Sequence, residues 1–138
     1  MSERLLTYRG TVHAWHCDHM GHMNVMWYVG KFDEATWQML AAVGITRDAM
    51  RAGNSGVAGV EQRISYKKEL FAGDTISIYS RVLEMKEKAI HIEHEMMHDA
   101  SGKVAAIMIL IAVHIDTALR KAIAFPPEVK AKAKSLTR

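Results

Sequence analysis

A short segment, residues 13–28, concentrates the side chains of this chain that are suited to chemistry: HAWHCDHMGHMNVMWY. Asp18 is its single carboxylate, and no other occurs between Glu3 and Asp33. Free amides at a helix N-terminus can stabilise a developing oxyanion. A neighbouring carboxylate can act as nucleophile or general base in a reaction at an acyl carbonyl. Asp18 could therefore act on an acyl group, but on its position alone the commoner role of an aspartate in a loop, capping a turn or helix, is favoured.

The same segment carries histidines at every third position, with a cysteine among them: His13, His16, His19, His22 and Cys17. A metal is the obvious alternative use of such a set. Ligands at this interval need a helix to align them, and Gly21 interrupts one. We therefore interpret these side chains as structural or hydrogen-bonding groups and predict neither a metal site nor a cofactor.

The surrounding pattern predicts the elements that must position Asp18. A first strand is expected over residues 5–14, with Leu6, Tyr8 and Val12 facing the core, followed by a loop over 15–23. Asn24 stands where a helix N-cap belongs, and Gly44 is a typical residue after a helix end. A long helix over 25–43 follows, and its wide apolar arc favours a helix that is surrounded rather than lying on a surface.

The rest of the chain alternates as strands do, with expected ranges 57–70, 75–85, 89–99 and 103–116, after a short helix over 48–52. The last strand, VAAIMILIAVHID, is apolar at nearly every position, which indicates that both of its faces are covered and favours a homo-oligomer. A Lys-rich solvated helix is expected after Pro126 and Pro127. This order predicts an α+β fold in which an antiparallel sheet of about five strands wraps one long helix.

Composition limits the class of protein. With 138 residues, 49% of them hydrophobic, the chain is expected to form one folded domain, residues 1–138. The start lacks a signal-peptide pattern, and the longest apolar stretch, residues 104–113, is too short to cross a bilayer, so we expect a cytoplasmic protein with no membrane partner. The net charge of +3 is spread along the chain and no nucleic-acid module is recognisable, which favours a small-molecule partner over nucleic acid.

Several motifs together resemble one family. The run Asp18-x-Met20-Gly21-His22-Met23-Asn24-x-x-x-Tyr28 looks like the first motif of the 4-hydroxybenzoyl-CoA thioesterase-like family of hotdog-fold acyl-CoA thioesterases. Later positions agree in order and spacing, so that the similarity covers nearly the whole chain: Ile64-x-Tyr66, Gly73-Asp74-Thr75, and Asp116-x-x-x-Arg120 leading to Pro126.

The resemblance implies a hotdog domain that hydrolyses an acyl-CoA thioester. In such proteins a homodimer, or a tetramer made of two dimers, places the active site between subunits. Asp18 matches the family's catalytic carboxylate, and the backbone amide of Val25 would polarise the thioester carbonyl. Gly21 would bring the loop backbone close to the substrate, while His22 and Asn24 are interpreted as residues that shape the loop.

The resemblance also suggests substrate contacts. Lys86 and Lys88 are similar to basic residues that meet coenzyme A, although an ordinary solvated turn explains them equally well. Trp27 and Tyr28 are candidates for lining the acyl site, with core packing as the alternative. At position 25 many relatives carry histidine or asparagine where this chain has valine, so only a backbone role is carried over there. A non-catalytic module that binds acyl-CoA or an acyl carrier stays open as an alternative function.

Overall fold

The structure is a computed structural model that describes residues 4–137. Its elements follow the chain in this order: β1 (Leu5–Thr11), a single 3-10 turn (Ala14–His16), α1 (Val25–Ala42), α2 (Arg47–Ala52), β2 (Ser55–Tyr66), β3 (Thr75–Met85), β4 (Ala89–His98), β5 (Lys103–Asp116), β6 (Lys121–Ala122) and α3 (Pro127–Ser135). No helix in this part of the chain is long and apolar enough to span a bilayer.

The strands form one antiparallel sheet in the order β1-β3-β4-β5-β2, with the short β6 added beside β5. The predicted α+β architecture is confirmed, and strands β3 and β5 begin and end at the predicted residues. Both have sharp sequence boundaries, because turn residues such as Gly73 and Gly102, each with a positive φ, stand just before them.

Helix α1 crosses the concave side of this sheet. Its buried stripe repeats at helical spacing, as Tyr28, Phe32, Ala35 and Met39. Full burial of a large apolar side chain contributes about 1.5–3 kcal/mol, so this stripe is what holds the helix in place. The expectation of a helix surrounded on all sides is wrong for the single chain, because the other side of α1 is exposed at four apolar residues: Val25, Met26, Val29 and Trp37.

Strand β5 shows the same difference between its faces. Ala106, Met108 and Leu110 point into the core, whereas the intervening isoleucines lie only partly covered within one chain. The strand therefore has its inner face buried in the core, and an outer apolar face that the single chain leaves partly exposed.

Strand β1 departs from its predicted pattern. Val12 is buried as expected, but Leu6 is exposed and the buried position is Thr7. A bulge between Leu6 and Tyr8 is the reason, since it inserts Thr7 as an extra residue and shifts the alternation. The Thr7 hydroxyl is then satisfied by Ser80 and by the Ile78 carbonyl.

The C-terminal helix α3 is also less solvated than predicted. Val129 and Ala133, one helical turn apart, are buried in the same core as α1, while the lysines face outward. The Lys130 ammonium lies 2.8 Å from the Glu87 carboxylate in the β3–β4 turn, which fixes α3 against that end of the sheet.

Candidate active site

The Asp18 loop is a tight hairpin at the N-terminal end of α1. Cys17 and Met23 form an isolated antiparallel bridge, and inside it the Asp18 amide donates to the His22 carbonyl and the Gly21 amide to the Asp18 carbonyl. Gly21 has a φ of +83°, a conformation that favours glycine. A Cβ there would meet no protein atom within 4 Å, so the positive φ of the turn is itself a reason for glycine, and the expected close approach of the loop backbone to a substrate stays a prediction.

The hairpin brings Asp18 beside Asn24. One Asp18 carboxylate oxygen accepts from the Asn24 side-chain amide at 2.8 Å, and the other accepts from the Met20 backbone amide at 2.9 Å. These two donors, the Asn24 side chain first, lower the pKa of Asp18 below its ordinary value. The side chain remains 22% exposed, so the carboxylate is ionised, held in place and open to solvent.

Asn24 connects this carboxylate to the start of the helix. Its side-chain oxygen accepts from the Met26 amide at 2.9 Å, which makes it the predicted N-cap, while its NH₂ group holds Asp18. Asn24 therefore caps the helix, while Asp18 caps the turn of the hairpin through the Met20 amide. Within the described residues the Val25 amide, at the first helical position, donates to no acceptor, and Val25 is exposed.

His22 lies between Asp18 and a residue that sequence reasoning missed. Its Nδ1 contacts the Glu69 carboxylate, and its Nε2 lies 3.9 Å from an Asp18 oxygen. The Met23 amide, next in the chain, donates to the Leu70 carbonyl at 2.7 Å and anchors the hairpin to the same segment. No signal in the sequence links residues 22 and 69, because their contact depends on the path of the chain through β2.

A cavity of about 340 Å³ is lined in part by His22 and by Val25 at the start of α1, and Asp18 is not among its lining residues. Its walls include Tyr28, Tyr66 and Glu69, and the two tyrosine rings meet edge to face with centroids 5.1 Å apart. The Tyr28 hydroxyl donates to the Lys68 carbonyl at 3.1 Å, and burial raises the pKa of Tyr28 to about 12. Tyr28 is thus a neutral wall of this cavity as well as a core residue.

The other predicted contact residues lie elsewhere. Trp27 faces the opposite flank of α1, where its ring packs on His16 with centroids 4.6 Å apart. Lys86 and Lys88 lie in the turn after β3, whereas Thr75 at the start of β3 pairs with Thr11 just before the Asp18 hairpin. The 11 residues of β3 span roughly 35 Å, so these lysines are remote from Asp18 within one chain.

The four loop histidines do not share one site, although the rings of His13 and His16 lie 5.5 Å apart. His13 stacks on Trp15, His16 is buried against Trp27, and His22 contacts Glu69. Across residues 4–137, no three His, Cys, Asp or Glu side chains are grouped closely enough to hold a metal ion.

Comparison with known proteins identifies relatives that match most of the chain. A model of the thioesterase-like superfamily matches residues 12–133. The betainyl-CoA thioesterase of Pseudomonas aeruginosa is 24% identical over 136 residues, covering 99% of this chain and 86% of that protein. An L-carnitine dehydrogenase/betainyl-CoA thioesterase of Agrobacterium fabrum is 28% identical over 110 residues, which cover 80% of this chain but only 22% of that longer protein.

Solved structures share the fold. A Staphylococcus aureus protein determined in complex with CoA superimposes with a TM-score of 0.90 at 18% identity, covering 97% of this chain and 85% of that one. A 1,4-dihydroxy-2-naphthoyl-CoA thioesterase from Synechocystis gives a TM-score of 0.84 at 15% identity over 99% of each chain. Together with the family match, these structures confirm the predicted hotdog fold.

Proposed function

We propose that the chain, which belongs to the thioesterase-like superfamily, hydrolyses an acyl-CoA thioester at the N-terminal end of α1 to give a free carboxylate and coenzyme A. The observation that carries the proposal is the joint placement of an ionised carboxylate and a free helix amide. Asn24 holds Asp18 at 2.8 Å and caps the helix whose first amide, that of Val25, has no partner in the described chain.

The thioester carbonyl would point its oxygen at the Val25 amide. That N–H and the positive end of the helix stabilise the negative charge that develops on the oxygen during attack. An oxyanion donor of this kind contributes about 2.7–4 kcal/mol to lowering the barrier. The valine side chain has no part in this step, which agrees with the replacement of a polar residue by valine at position 25.

Asp18 would supply the attack by one of two routes. In the first, a carboxylate oxygen bonds to the carbonyl carbon, the C–S bond breaks to release the CoA thiolate, and water then cleaves the resulting anhydride. In the second, Asp18 takes a proton from a water molecule whose oxygen bonds to the carbonyl carbon, and the C–S bond then breaks to release the CoA thiolate. The lowered pKa of Asp18 keeps the carboxylate anionic for either route.

The cavity beside Val25 is our candidate for the acyl group. Two tyrosine rings and the Glu69 carboxylate form its walls, a set suited to a small cationic acyl group through cation–π and ionic attraction. Two of the relatives are named as betainyl-CoA thioesterases, and a betainyl group places its trimethylammonium next to the thioester carbonyl. We therefore propose a short quaternary-ammonium acyl group as the preferred substrate class. The basic side chains of Lys67 and Lys68, which also line the cavity, are the opposing feature.

Coenzyme A contacts require a second copy of the chain under this proposal. Lys86 and Lys88 are too far from Asp18 within one chain, so they would meet the CoA bound at a neighbouring subunit. The exposed apolar side of α1, the half-exposed outer face of β5 and the free edge of β2 support a homodimer or a tetramer of two dimers.

The test is turnover of a panel of acyl-CoA thioesters by wild type, Asp18→Asn and, as a matched control, Asp99→Asn on the exposed β4–β5 turn. The panel should include short and long fatty acyl, aryl and betainyl thioesters. We expect at least one thioester to be cleaved, with kcat reduced by about 10³ or more in Asp18→Asn alone.

Cleavage that survives in Asp18→Asn would contradict the catalytic assignment. If wild type cleaves no thioester yet binds CoA, the alternative of a non-catalytic acyl-CoA-binding module becomes the better account.

A further inference from the structure

Lys31 on α1 is a buried lysine without a counter-ion. The residue is 4% exposed, and within residues 4–137 no carboxylate lies within ion-pair distance of its ammonium group. Its recorded hydrogen bond goes to the Tyr8 hydroxyl at 3.0 Å, and it lies 5.3 Å from the centroid of that ring. An ammonium has three N–H donors and is costly to bury unless it is paired, so this group lacks the anion that would compensate it.

The ammonium belongs to a cleft on the flank of α1 opposite the thioester cavity. The cleft lies between β1 and α1 and has a volume of about 420 Å³. Gly30 has no side chain to fill the cleft, and the atom nearest to the position of a Cβ there is 4.0 Å away. Gly10 has a different role: a Cβ at that position would lie 2.5 Å from the Tyr8 hydroxyl oxygen, so glycine is what lets the Tyr8 ring reach Lys31.

His16 lines the same cleft. Its Nδ1 accepts the His13 backbone N–H at 2.9 Å, which leaves the proton of the neutral ring on Nε2. Burial first, and the nearby Lys31 charge second, lower the pKa of His16, so the ring is neutral at pH 7. Its neighbour Trp27 closes one wall, with the two ring centroids 4.6 Å apart.

We propose that this cleft is a binding site for a small anionic group, a carboxylate or a phosphate, held by the Lys31 ammonium with the Tyr8 hydroxyl and the His16 ring beside it. Glu34 is the carboxylate that lines the cleft. It is exposed and forms no ion pair with Lys31, so its negative charge is expected to repel the bound anion. The site is separate from the proposed thioester site, but the hairpin connects them, since the Asn24 amide donates to the His16 carbonyl at 2.9 Å.

The experiment measures stabilisation by inorganic phosphate and, in a second arm, by acetate, each against chloride at constant ionic strength. A ligand that binds only the folded state raises the unfolding midpoint as its concentration rises. We expect wild type to be stabilised by one of the two anions, and the one that acts identifies phosphate or carboxylate as the ligand class.

Variants make the assignment specific. Lys31→Met is expected to weaken anion binding by more than about tenfold, because a charge-assisted hydrogen bond is lost. Lys103→Met, on the exposed start of β5, is the matched control and should bind as wild type does. Glu34→Gln should bind the anion more tightly, and Tyr8→Phe should bind it more weakly, so the proposal is still tested if Lys31→Met does not fold.

The proposal is overturned if neither anion stabilises wild type beyond chloride, or if Lys31→Met and Lys103→Met respond equally. Neither result depends on thioester turnover, so this proposal and the proposed function fail independently.

Discussion

Two polar clusters contact helix α1, and they differ in whether a substrate can reach them. The loop cluster, Asp18, His22 and Asn24, lies at the N-terminal end of the helix with the Asp18 side chain 22% exposed. The buried cluster, Thr7, Thr36, Ser80 and His94, lies at mid-helix with His94 at 0% exposure. The larger pKa change belongs to the second cluster, because burial lowers the pKa of His94 to about 4.

Every polar atom of the buried cluster is occupied. Thr36 donates to the Phe32 carbonyl, and the two ring nitrogens of His94 hydrogen-bond to the Thr36 and Ser80 hydroxyls. Phe32 also stacks on the His94 ring, with centroids 5.9 Å apart. In this cluster the lowered pKa of His94 therefore reflects a buried structural network. In the loop cluster, by contrast, the carboxylate lies near a backbone amide that has no partner.

After Asp18→Asn, the largest effect in this comparison is expected from Val25→Pro, which removes the proposed oxyanion N–H. Proline is well tolerated at the first helical position, and Asn24 already has the extended conformation that a following proline requires, with φ −72° and ψ 148°. We expect kcat to fall by about 10²–10³ with helix content unchanged. Val25→Ala keeps the amide and is the control, so an equal loss in both variants would contradict the backbone role.

His94→Leu should affect stability and not chemistry. The substitution removes the His94 ring to which the Thr36 and Ser80 hydroxyls hydrogen-bond in the protein interior. We expect the free energy of unfolding to fall by about 2–4 kcal/mol. Urea denaturation measures this change. His91→Leu on the same strand is partly exposed and should change stability by less than about 0.5 kcal/mol. A His94→Leu protein as stable as wild type would show that the buried cluster contributes no net stabilisation.

The pH dependence of stability tests the same histidine in the wild-type protein, in which its packing is intact. The pKa of His94 is about 4 when folded and 6.5 when exposed, so the folded state binds fewer protons between these values. The free energy of unfolding should therefore decrease as the pH falls from 6.5 toward 4, by up to about 3 kcal/mol from this group. The decrease should be smaller in His94→Leu, and identical slopes would contradict the assignment.

Gly21→Ala is expected to give the smallest effect. A φ of +83° costs an alanine about 1–2 kcal/mol, and no neighbouring atom adds a clash. We expect a lowered thermal midpoint with turnover reduced only severalfold, and a smaller loss for Gly21→Asn, since asparagine tolerates positive φ better. A complete loss of activity in both variants would indicate a role beyond the turn.

Sequence reasoning predicted the features that are encoded locally. The Asn24 cap, the Gly44 helix end and the limits of β3 and β5 follow from cap, turn and alternation rules. The bulge that buries Thr7 depends on pairing with β3, and the contact of His22 with Glu69 depends on residues 47 positions apart. The eight histidines illustrate this limit. The regular spacing of those in the loop suggests a metal site as an alternative, whereas the histidine whose pKa is shifted most is His94, on β4.

The most direct measurement compares turnover per folded molecule and unfolding free energy in Asp18→Asn and His94→Leu. The catalytic proposal predicts that Asp18→Asn loses kcat by about 10³ or more, while its unfolding free energy changes by about 1 kcal/mol or less. It predicts the reverse for His94→Leu, with reduced stability and near-normal kcat for the folded fraction. If Asp18→Asn keeps its turnover, or loses it only through unfolding, Asp18 is a structural residue and the central claim is wrong.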